Sequence, residues 1–456
     1  MTNATKKLYI KTWGCQMNVY DSRRMADVLR PLGYVEVDEP NDADMMILNT
    51  CHIREKATDK VFSEIGRLRE HKEAKQKTGA RPLLAIAGCV AQAEGDFILQ
   101  RAPEVDMVFG PQTYHELPEM VLKATGMIGR PRIVNTDFPS ESKFDFLPGE
   151  FAPQTASAYL SIQEGCDKFC TFCVVPYTRG AEYSRDVRNI VDEANKLVDA
   201  GAKEIILLGQ NVNAYHGKHD DGTTAGLADL IYALDKINGL ERIRYSTSHP
   251  RDMDEALIQS HSIEKNMPFL HLPVQSGSDA ILKKMNRKHG RDLFFEIIEK
   301  LRVVRKDIVF SSDFIVGFPG ESDEDFEQTM DLVRRTNFAS AYSFKYSPRP
   351  GTPAANMGKQ LHESIKSERL QRLQELLNEQ QHSFNKTCNG LILPVLFDRK
   401  HNKKDQLLGR SPYFQSVHLE ASEEFLNKIV NVRITHAAPN SLTGEITQEK
   451  HNIIAA

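Results

Sequence analysis

The sequence predicts a multidomain α/β protein that ends in a small all-β module. Three observations carry this. Strand and helix signals alternate over residues 7–120 and again from Ala158 to Tyr346, residues 123–156 break that rhythm, and after Cys388 only short strand signals remain. The chain has 456 residues, 40% hydrophobic and 26% charged. At about 150 residues per domain that length suits three domains. Global disorder is excluded, because the apolar content can fill several cores.

Lys7–Thr12 (KLYIKT) reads as a strand and Ser22–Leu32 as a helix. Met45–Leu48, Leu83–Ala87 and Met107–Phe109 are short apolar runs of the buried-strand type. Helical material lies between them at Ala57–Glu73 and, more weakly, at Gly95–Gln100. This is the pattern of a doubly wound domain, expected over residues 5–122. Pro131, Pro139, Pro148 and Pro153, with Gly129 and Gly149, then mark a linker over 123–155.

Strand signals resume at Tyr159–Gln163, Glu204–Leu208, Arg242–Ser246, Phe269–Leu272, Val309–Phe314 and Ala341–Lys345. Helix signals fall between them, at Val187–Ala200, Leu227–Ile237, Glu255–His261, Ala280–Met285 with Leu293–Val304, and Asp323–Arg335. Six strands with helical crossovers predict a partial (β/α)6 barrel of the TIM type, short of the full eight, over residues 156–382. That span closes with a helix, Ile365–Gln381. Residues 383–448 read as a small OB-like β-barrel with strands at Leu391–Phe397, Tyr413–Leu419, Ile429–Ile434 and Leu442–Ile446. Pro394 points to an edge strand or a bulge in the first of these.

No run approaches the ~20 apolar residues of a membrane helix. Nothing after Met1–Leu8 has the length of a signal peptide core, so a cytoplasmic location is expected. Lys plus Arg is 58 against 62 for Asp plus Glu, a net charge of −4. A broad electrostatic grip on nucleic acid is not advertised, and any RNA contact must come from local patches. Seven cysteines are too sparse for a disulfide scaffold.

Three of them, Cys166, Cys170 and Cys173, form C-x3-C-x2-C directly after the first strand of the barrel. Three thiolates at this spacing can ligate three irons of a cube-shaped iron–sulfur cluster and leave the fourth iron open. Zinc and inert thiols compete, but zinc wants a fourth Cys or His, and none follows closely. Cys15, Cys51 and Cys89 form no compact motif. Each sits just past an expected strand, and loops at the carboxyl ends of parallel strands converge on one crevice. Cysteines 36 and 38 positions apart could therefore meet, although three ordinary buried cysteines fit as well. Gly14 and Gly88 each precede a Cys and suit close backbone approach.

The C-x3-C-x2-C motif after the first barrel strand resembles the radical S-adenosylmethionine enzymes. Further motifs resemble their methylthiotransferase branch. They are TWGCQMN (Thr12–Asn18), NTC (Asn49–Cys51), AGC (Ala87–Cys89), CTFCVVPYTRG (Cys170–Gly180), LLGQNVNAY (Leu207–Tyr215), HLPVQSGS (His271–Ser278) and DFIVGFPGE (Asp313–Glu321). The likeness spans nearly the whole chain and includes a C-terminal module similar to the TRAM RNA-binding domain.

The resemblance implies two 4Fe-4S clusters, one on Cys166, Cys170 and Cys173 and an auxiliary one on Cys15, Cys51 and Cys89. It implies S-adenosylmethionine as cofactor, one molecule supplying a methyl group and another the radical. The implied substrate is tRNA, with a methylthio group added to carbon 2 of N6-dimethylallyladenosine at position 37, in the anticodon loop. An electron donor and a sulfur or cluster-assembly donor are implied partners, and a monomer is expected. Phe172, Gly209, Gln210 and Gly317 fall where related enzymes hold the cofactor. Gly209-Gln210-Asn211 departs from the usual Gly-Gly-Glu-like turn, and Gly317–Glu321 also reads as a tight strand–helix turn. Arg399, Lys400, Lys403, Lys404 and Arg410, with Tyr413 and Phe414, suit phosphate contact and base stacking. A charged hairpin without RNA function is the plainer alternative.

Asn49 and His52 flank Cys51 and could donate to cluster sulfur, and His249 and Arg251 could meet RNA phosphate or form a surface turn. Cys388 is expected to be inert. Other functions remain open at this point. A ribosomal-protein aspartate methylthiotransferase and an enzyme of threonylcarbamoyl adenosine are the rivals within the family. A non-catalytic zinc-containing RNA-binding protein is the rival outside it.

Overall fold

The computed structural model describes residues 5–51, 57–126, 132–139, 141–149, 155–401 and 405–449. It divides into two compact units, Met1–Ala152 with Val174–Ala181, and Pro153–Cys173 with Glu182–Ala456.

The first unit is built on a parallel sheet of β1 (Lys6–Trp13), β2 (Tyr34–Glu36), β3 (Met45–Thr50), β4 (Leu83–Gly88), β5 (Met107–Phe109) and β6 (Ile133–Asn135), in the order β2-β1-β3-β4-β5-β6. Every residue of β3 and β4 is buried, which is why both read as unbroken apolar runs. Alternate side chains feed two cores. Ile47, Ala85 and Phe109 pack with Met25 of α1 (Gln16–Leu29) and Met120 of α4 (Leu117–Thr125). Met46, Leu48 and Ile86 pack with Ile65 of α2 (Ala57–Gln76) and Ile98 of α3 (Cys89–Arg101). Helices thus cover both faces, as a doubly wound domain requires.

Two short strands escaped the sequence reading. The β6 strand pairs with β5 through Met107–Ile133, inside the stretch read as linker, and β2 pairs with β1. Three-residue strands are too short to show a period. Helix α1 also starts six residues earlier than expected, because Cys15 caps it.

In the second unit six parallel strands follow one another in space as in sequence. They are β7 (Ser157–Ser161), β10 (Glu204–Leu208), β13 (Arg242–Tyr245), β14 (Phe269–His271), β15 (Val309–Val316) and β16 (Ser340–Lys345). They form two three-stranded sheets, and a single parallel bridge, Ile243 to Asn266, spans the gap between them. This is the expected open six-stranded arc. Two ribbons, β8 (Gln163–Glu164) with β9 (Tyr183–Ser184) and β11 (Gly217–Lys218) with β12 (Thr224–Ala225), decorate it. Helices α6 (Val187–Asp199), α7 (Leu227–Asp235), α8 (Glu255–Ser260), α9 (Asp279–Lys284), α10 (Arg291–Val304) and α11 (Asp323–Thr336) return the chain between strands. A long helix, α12 (Glu363–Thr387), packs on β16 and α11.

The C-terminal module is a closed barrel of β17 (Ile392–Lys400), β18 (Gln406–Arg410), β19 (Ser416–Glu420), β20 (Ile429–Ala437) and β21 (Leu442–Ile446), ordered β17-β18-β19-β21-β20. Strand β18 was not expected, since the polar run before it hides five residues of strand. Closure leaves β17 no free edge. Pro394 is tolerated because β18 pairs with β17 only from Leu396 onward, and the bulge lies further on, between Phe397 and Arg399. Strand β13 docks this barrel with buried charge. Arg244 donates to Glu204 (2.7 Å), Pro412 O (2.9 Å) and Ser411 O (3.0 Å), and Arg242 donates to Arg410 O (3.1 Å). Each buried guanidinium is thereby satisfied.

Candidate metal centres

Cys15, Cys51 and Cys89 stand at the carboxyl ends of β1, β3 and β4, neighbouring strands in the order β1-β3-β4. Cys51 and Cys89 are buried and Cys15 is exposed. Cys15 is the N-cap of α1 and Cys89 is the first residue of α3. Two helix N-termini therefore carry thiols, where a negative sulfur is favoured.

A pair of asparagines fixes the geometry. Asn18 accepts from the Cys15 thiol through Oδ1 (3.2 Å) and donates to Asn49 Oδ1 (3.0 Å). Asn49 donates back to Asn18 O (2.8 Å) and to Ser22 Oγ (2.9 Å). Asn49 thus spends both amide hydrogens on this brace, and Asn18 is the one that reaches sulfur. His52 lies outside the described residues. Gly14 (φ +138°) has no room for a side chain, since a Cβ would lie 2.5 Å from Cys51 Cβ. Gly88 (φ +88°) is held the same way, 2.5 Å from Thr50 O. The glycines admit the brace and the neighbouring cysteine.

A hydrogen bond from Cys51 holds the Cys15 thiol down at about 6, against the desolvation of its sulfur, and the Arg179 guanidinium adds to this. Burial pushes Cys89 up, with Arg179 opposing it. Arg179 belongs to α5 (Val175–Arg179), in the segment that clusters with this first unit. The sequence reading held it only as part of the motif Cys170–Gly180 and gave it no role of its own.

Cys166, Cys170 and Cys173 follow β7 and β8 in one loop of the second unit. Cys170 is buried and the other two are partly exposed. The segment after α9 clamps this loop. Thr171 N donates to Met285 O (3.0 Å), Thr171 Oγ1 to Lys284 O (2.9 Å) and Asn286 Nδ2 to Phe169 O (2.9 Å). Arg287 donates to Cys170 Sγ (3.7 Å), and Lys168 pairs with Asp252 (2.8 Å). Among the described residues no three His, Cys, Asp or Glu side chains close on a point that would hold one metal ion. A four-iron cluster asks for a different arrangement, because each thiolate takes its own iron.

The mouth of the arc carries buried polar atoms without a partner. Among the described residues they include Ser161 Oγ in the last residue of β7, Asn211 Oδ1 after β10, Ser248 Oγ and His249 Nε2 after β13, and Arg287 Nε and His289 Nε2. Buried polar groups are normally hydrogen-bonded, so an orphaned set at the carboxyl ends of parallel strands suits a polar ligand. His249 is 4% exposed, with its edge-on neighbour His289 at 5.4 Å. That burial pushes its imidazole well below the usual range and corrects the reading of His249 as a phosphate contact. Only Arg251 of that turn is exposed.

The four expected cofactor residues divide. Phe172 packs beside Ile281, Met285, Phe318 and Tyr346. Gly209 lies against Gln163, whose Oε1 accepts from Gln210 N (2.9 Å), while Gln210 Oε1 accepts from Gly165 N (2.6 Å). The Gln210 amide oxygen therefore braces the loop. Gly317 (φ +70°) gives its amide to Glu321 (2.9 Å), which Arg369 also holds (2.7 Å).

Of the basic residues in the C-terminal barrel, Arg399 and Lys400 are exposed, pairing with Asp398 (3.1 Å) and Glu423 (2.6 Å). Arg410 is partly buried, bonded to Ser416 Oγ (2.7 Å) and set against the Phe414 ring (5.1 Å). Lys403 and Lys404 lie outside the described residues. Tyr413 is a core residue, 3% exposed, which corrects its reading as a stacking platform. Cys388 is buried beside Gln415.

Three family models match the chain. They are Uncharacterized protein family UPF0004 over residues 7–110, the Radical SAM superfamily over 160–333 and the TRAM domain over 386–447. The tRNA-2-methylthio-N(6)-dimethylallyladenosine synthase of Rickettsia felis (strain ATCC VR-1525 / URRWXCal2) is 58% identical over 445 residues, 97% of this chain and 100% of that one. The synthase of Rickettsia bellii (strain RML369-C) is 57% identical over 97% of this chain and 99% of its own.

Among solved structures, the radical S-adenosylmethionine methyltransferase TsrM from Kitasatospora setae, with cobalamin and a [4Fe-4S] cluster bound, superposes with a TM-score of 0.57. It is 12% identical, over 77% of this chain and 74% of that chain. The cobalamin-dependent S-adenosylmethionine radical enzyme OxsB, with aqua-cobalamin and S-adenosylmethionine bound, gives 0.52 at 14% identity, over 82% of this chain and 56% of that one. At such identities these likenesses speak to the fold alone. The curated relatives do not favour the aspartate, threonylcarbamoyl adenosine or zinc alternatives.

Proposed function

The chain belongs to the tRNA-2-methylthio-N(6)-dimethylallyladenosine synthase family, and from that premise we propose how its residues divide the work. It is a radical S-adenosylmethionine enzyme that adds a methylthio group to carbon 2 of N6-dimethylallyladenosine in tRNA. The observation that carries our division is the separation of six cysteines into two sets of three, one in each compact unit.

In our reading Cys166, Cys170 and Cys173 hold a 4Fe-4S cluster, which when bound supplies the electron that splits the cofactor's sulfonium. Arg287 donates to the Cys170 sulfur and helps to orient it. The clamp from Thr171, Asn286 and Lys168 fixes the loop before the cofactor arrives. Ser161, Asn211, Ser248 and His249 offer the cofactor its polar contacts, with His249 neutral. Phe172 and Gly209 line the same mouth. Gln210 and Gly317 shape it from behind, since the Gln210 amide oxygen and the Gly317 N–H are taken up by Gly165 and Glu321.

Cys15, Cys51 and Cys89 hold an auxiliary cluster where sulfur is delivered, braced by Asn18 and Asn49. Arg399 and Lys400 of the C-terminal barrel meet phosphates of the anticodon arm, with Lys403, Lys404 and Arg410 beside them in sequence. Position 37 lies in a loop, and unstacking a loop base costs less than flipping one from a duplex. An electron donor and a sulfur donor complete the system, and we read the enzyme as a cytoplasmic monomer. Among the described residues no helix is long and apolar enough to cross a membrane.

The test is mass spectrometry of nucleosides from N6-dimethylallyladenosine-containing tRNA, incubated anaerobically with reconstituted protein, S-adenosylmethionine, reductant and sulfide. The methylthio nucleoside is expected. Deoxyadenosine without it would sink the substrate assignment while leaving the radical machinery standing.

A further inference from the structure

The inner face of the last three barrel strands carries exposed aromatic rings. On β16, Lys345 donates to Ser367 Oγ (3.4 Å) and pairs with Glu363 (3.1 Å), both on α12. Lys345 and the residues two and four before it therefore turn to the helical layer. Tyr342 and Phe344 alternate with them and turn to the inside of the arc. Strand β15 behaves alike. Its Phe310, Ser312, Phe314 and Val316 are buried, while Asp313 stands opposite Tyr342 and Ile315 opposite Phe344. His271 of β14 joins this face, with Nε2 3.6 Å from Asp313 and its ring edge-on to Tyr342 at 6.3 Å.

Side chains normally fill a barrel of this kind. Here Tyr342 is 62% exposed and Phe344 52%. Among the described residues β15 is the one strand that pairs with β16, so the arc stops there. Neighbouring rings left to water on a concave face mark a place where something apolar docks.

The face has two defined ends. At its carboxyl end Ile315 packs into the apolar cluster of Phe318 and Tyr346, which also takes Phe172 from the cysteine loop. At its amino end Phe269, two residues before His271, meets Phe414 of the C-terminal barrel at 5.3 Å. Arg410 lies against the same Phe414 ring. The face thus runs from the cysteine loop, where the cofactor is cleaved in our reading, to the barrel that carries the basic residues. A substrate held by both must pass along it.

The substrate nucleoside carries a branched apolar chain on a secondary amine. Two residues along a strand advance about 6.6 Å, which suits a short chain laid across two rings. The rings can bury the chain, and a carboxylate beside them can accept from the amine N–H. Asp313, 29% exposed, stands in that place.

We propose that Tyr342 and Phe344 form the floor that binds the dimethylallyl chain of the substrate nucleoside and so select prenylated tRNA, with Asp313 accepting from the amine that carries the chain. This rests on the reading of N6-dimethylallyladenosine in tRNA as the substrate.

The experiment uses the full chain, reconstituted anaerobically with iron, sulfide and S-adenosylmethionine. Two tRNAs of one sequence are compared, one with N6-dimethylallyladenosine at position 37 and one with adenosine there. The Kd of each is measured, and their ratio is the readout. We expect the parent to prefer the prenylated tRNA by at least about tenfold. Tyr342→Ala with Phe344→Ala should erase that preference by weakening the prenylated tRNA alone. Both side chains are more than half exposed, so the double variant should fold, which circular dichroism checks. Tyr342→Phe with Phe344→Leu keeps an apolar floor and should keep most of the preference. Asp313→Ala should weaken both tRNAs and leave the ratio at the parent's value, since adenosine also offers an N6–H.

A double variant that weakens both tRNAs alike would make the rings a stacking platform for bases and overturn the proposal. A folded double variant with the parent's ratio would overturn it too, as would a parent that forms the methylthio nucleoside yet binds both tRNAs equally. A parent that forms no methylthio nucleoside from the prenylated tRNA would remove the substrate assignment itself, a distinct result that takes the proposal with it.

Discussion

The two cysteine triads reach the same ligand count by opposite routes. The barrel triad comes from eight consecutive residues, held in place by a clamp from one neighbouring segment. The N-terminal triad is gathered from three strand ends spread over 75 residues, and it depends on asparagines that face one another across 31 positions. A loop-borne site needs only local chain geometry. A strand-borne site needs the whole sheet in register. The first should therefore tolerate damage to the fold better than the second, and substitutions can test that.

The largest effects fall on the ligands. Cys166→Ala should abolish S-adenosylmethionine cleavage, read as deoxyadenosine. Cys51→Ala should permit cleavage yet yield no methylthio nucleoside. Equal loss of cleavage in both folded variants would erase the distinction between the triads. Next comes Gly88→Ala, where a side chain would meet Asn49 and Thr50 at positive φ. It should cost about 3 kcal/mol, seen as a lower midpoint in denaturant, with loss of N-terminal iron before barrel iron. An unchanged midpoint would mean the Asn18–Asn49 brace is not as tight as its geometry implies.

Arg287→Met removes the donor to Cys170 and should slow cleavage by about tenfold while leaving N-terminal iron untouched. Smallest is the double variant Arg399→Ala, Lys400→Ala in the C-terminal barrel. It should raise the KM for tRNA a few-fold with kcat unchanged. The salt dependence of binding should flatten by about one unit for each phosphate left without its cation. A change in kcat instead would place those residues nearer the chemistry than the barrel surface.

Much of the fold was legible. The buried strands β3 and β4 show as apolar runs because both faces of a parallel sheet are covered, and α6, α7 and α11 show as amphipathic periods. The strands β2, β6 and β18 were not legible. The first two have three residues each, and the third is masked by the basic stretch before it. Pro394 suggested an edge strand or a bulge, and in the barrel β17 pairs there with β20 alone, β18 joining only from Leu396.

At the sites the division follows chain separation. The barrel triad could be read directly, since C-x3-C-x2-C holds its geometry within one loop. The meeting of Cys15, Cys51 and Cys89 could be inferred only as a possibility of parallel topology until the motif resemblance was considered. The burial of Arg179 against Asp21, the burial of His249 and Tyr413, and the unpartnered polar atoms at the strand ends had no sequence signal.

Taken alone, the sequence determined the three-part α/β and β architecture and the barrel triad with the chemistry it suits, while the N-terminal triad came with the motif resemblance. Those follow from side-chain type and from periods that repeat within about ten residues of chain. Tertiary structure alone decided which charges face the cysteines and which glycine and glutamine groups are already spent on the fold. Burial and hydrogen-bond partners are set by residues distant in sequence, and in a close-packed interior each polar group must find its partner among whatever the other elements bring.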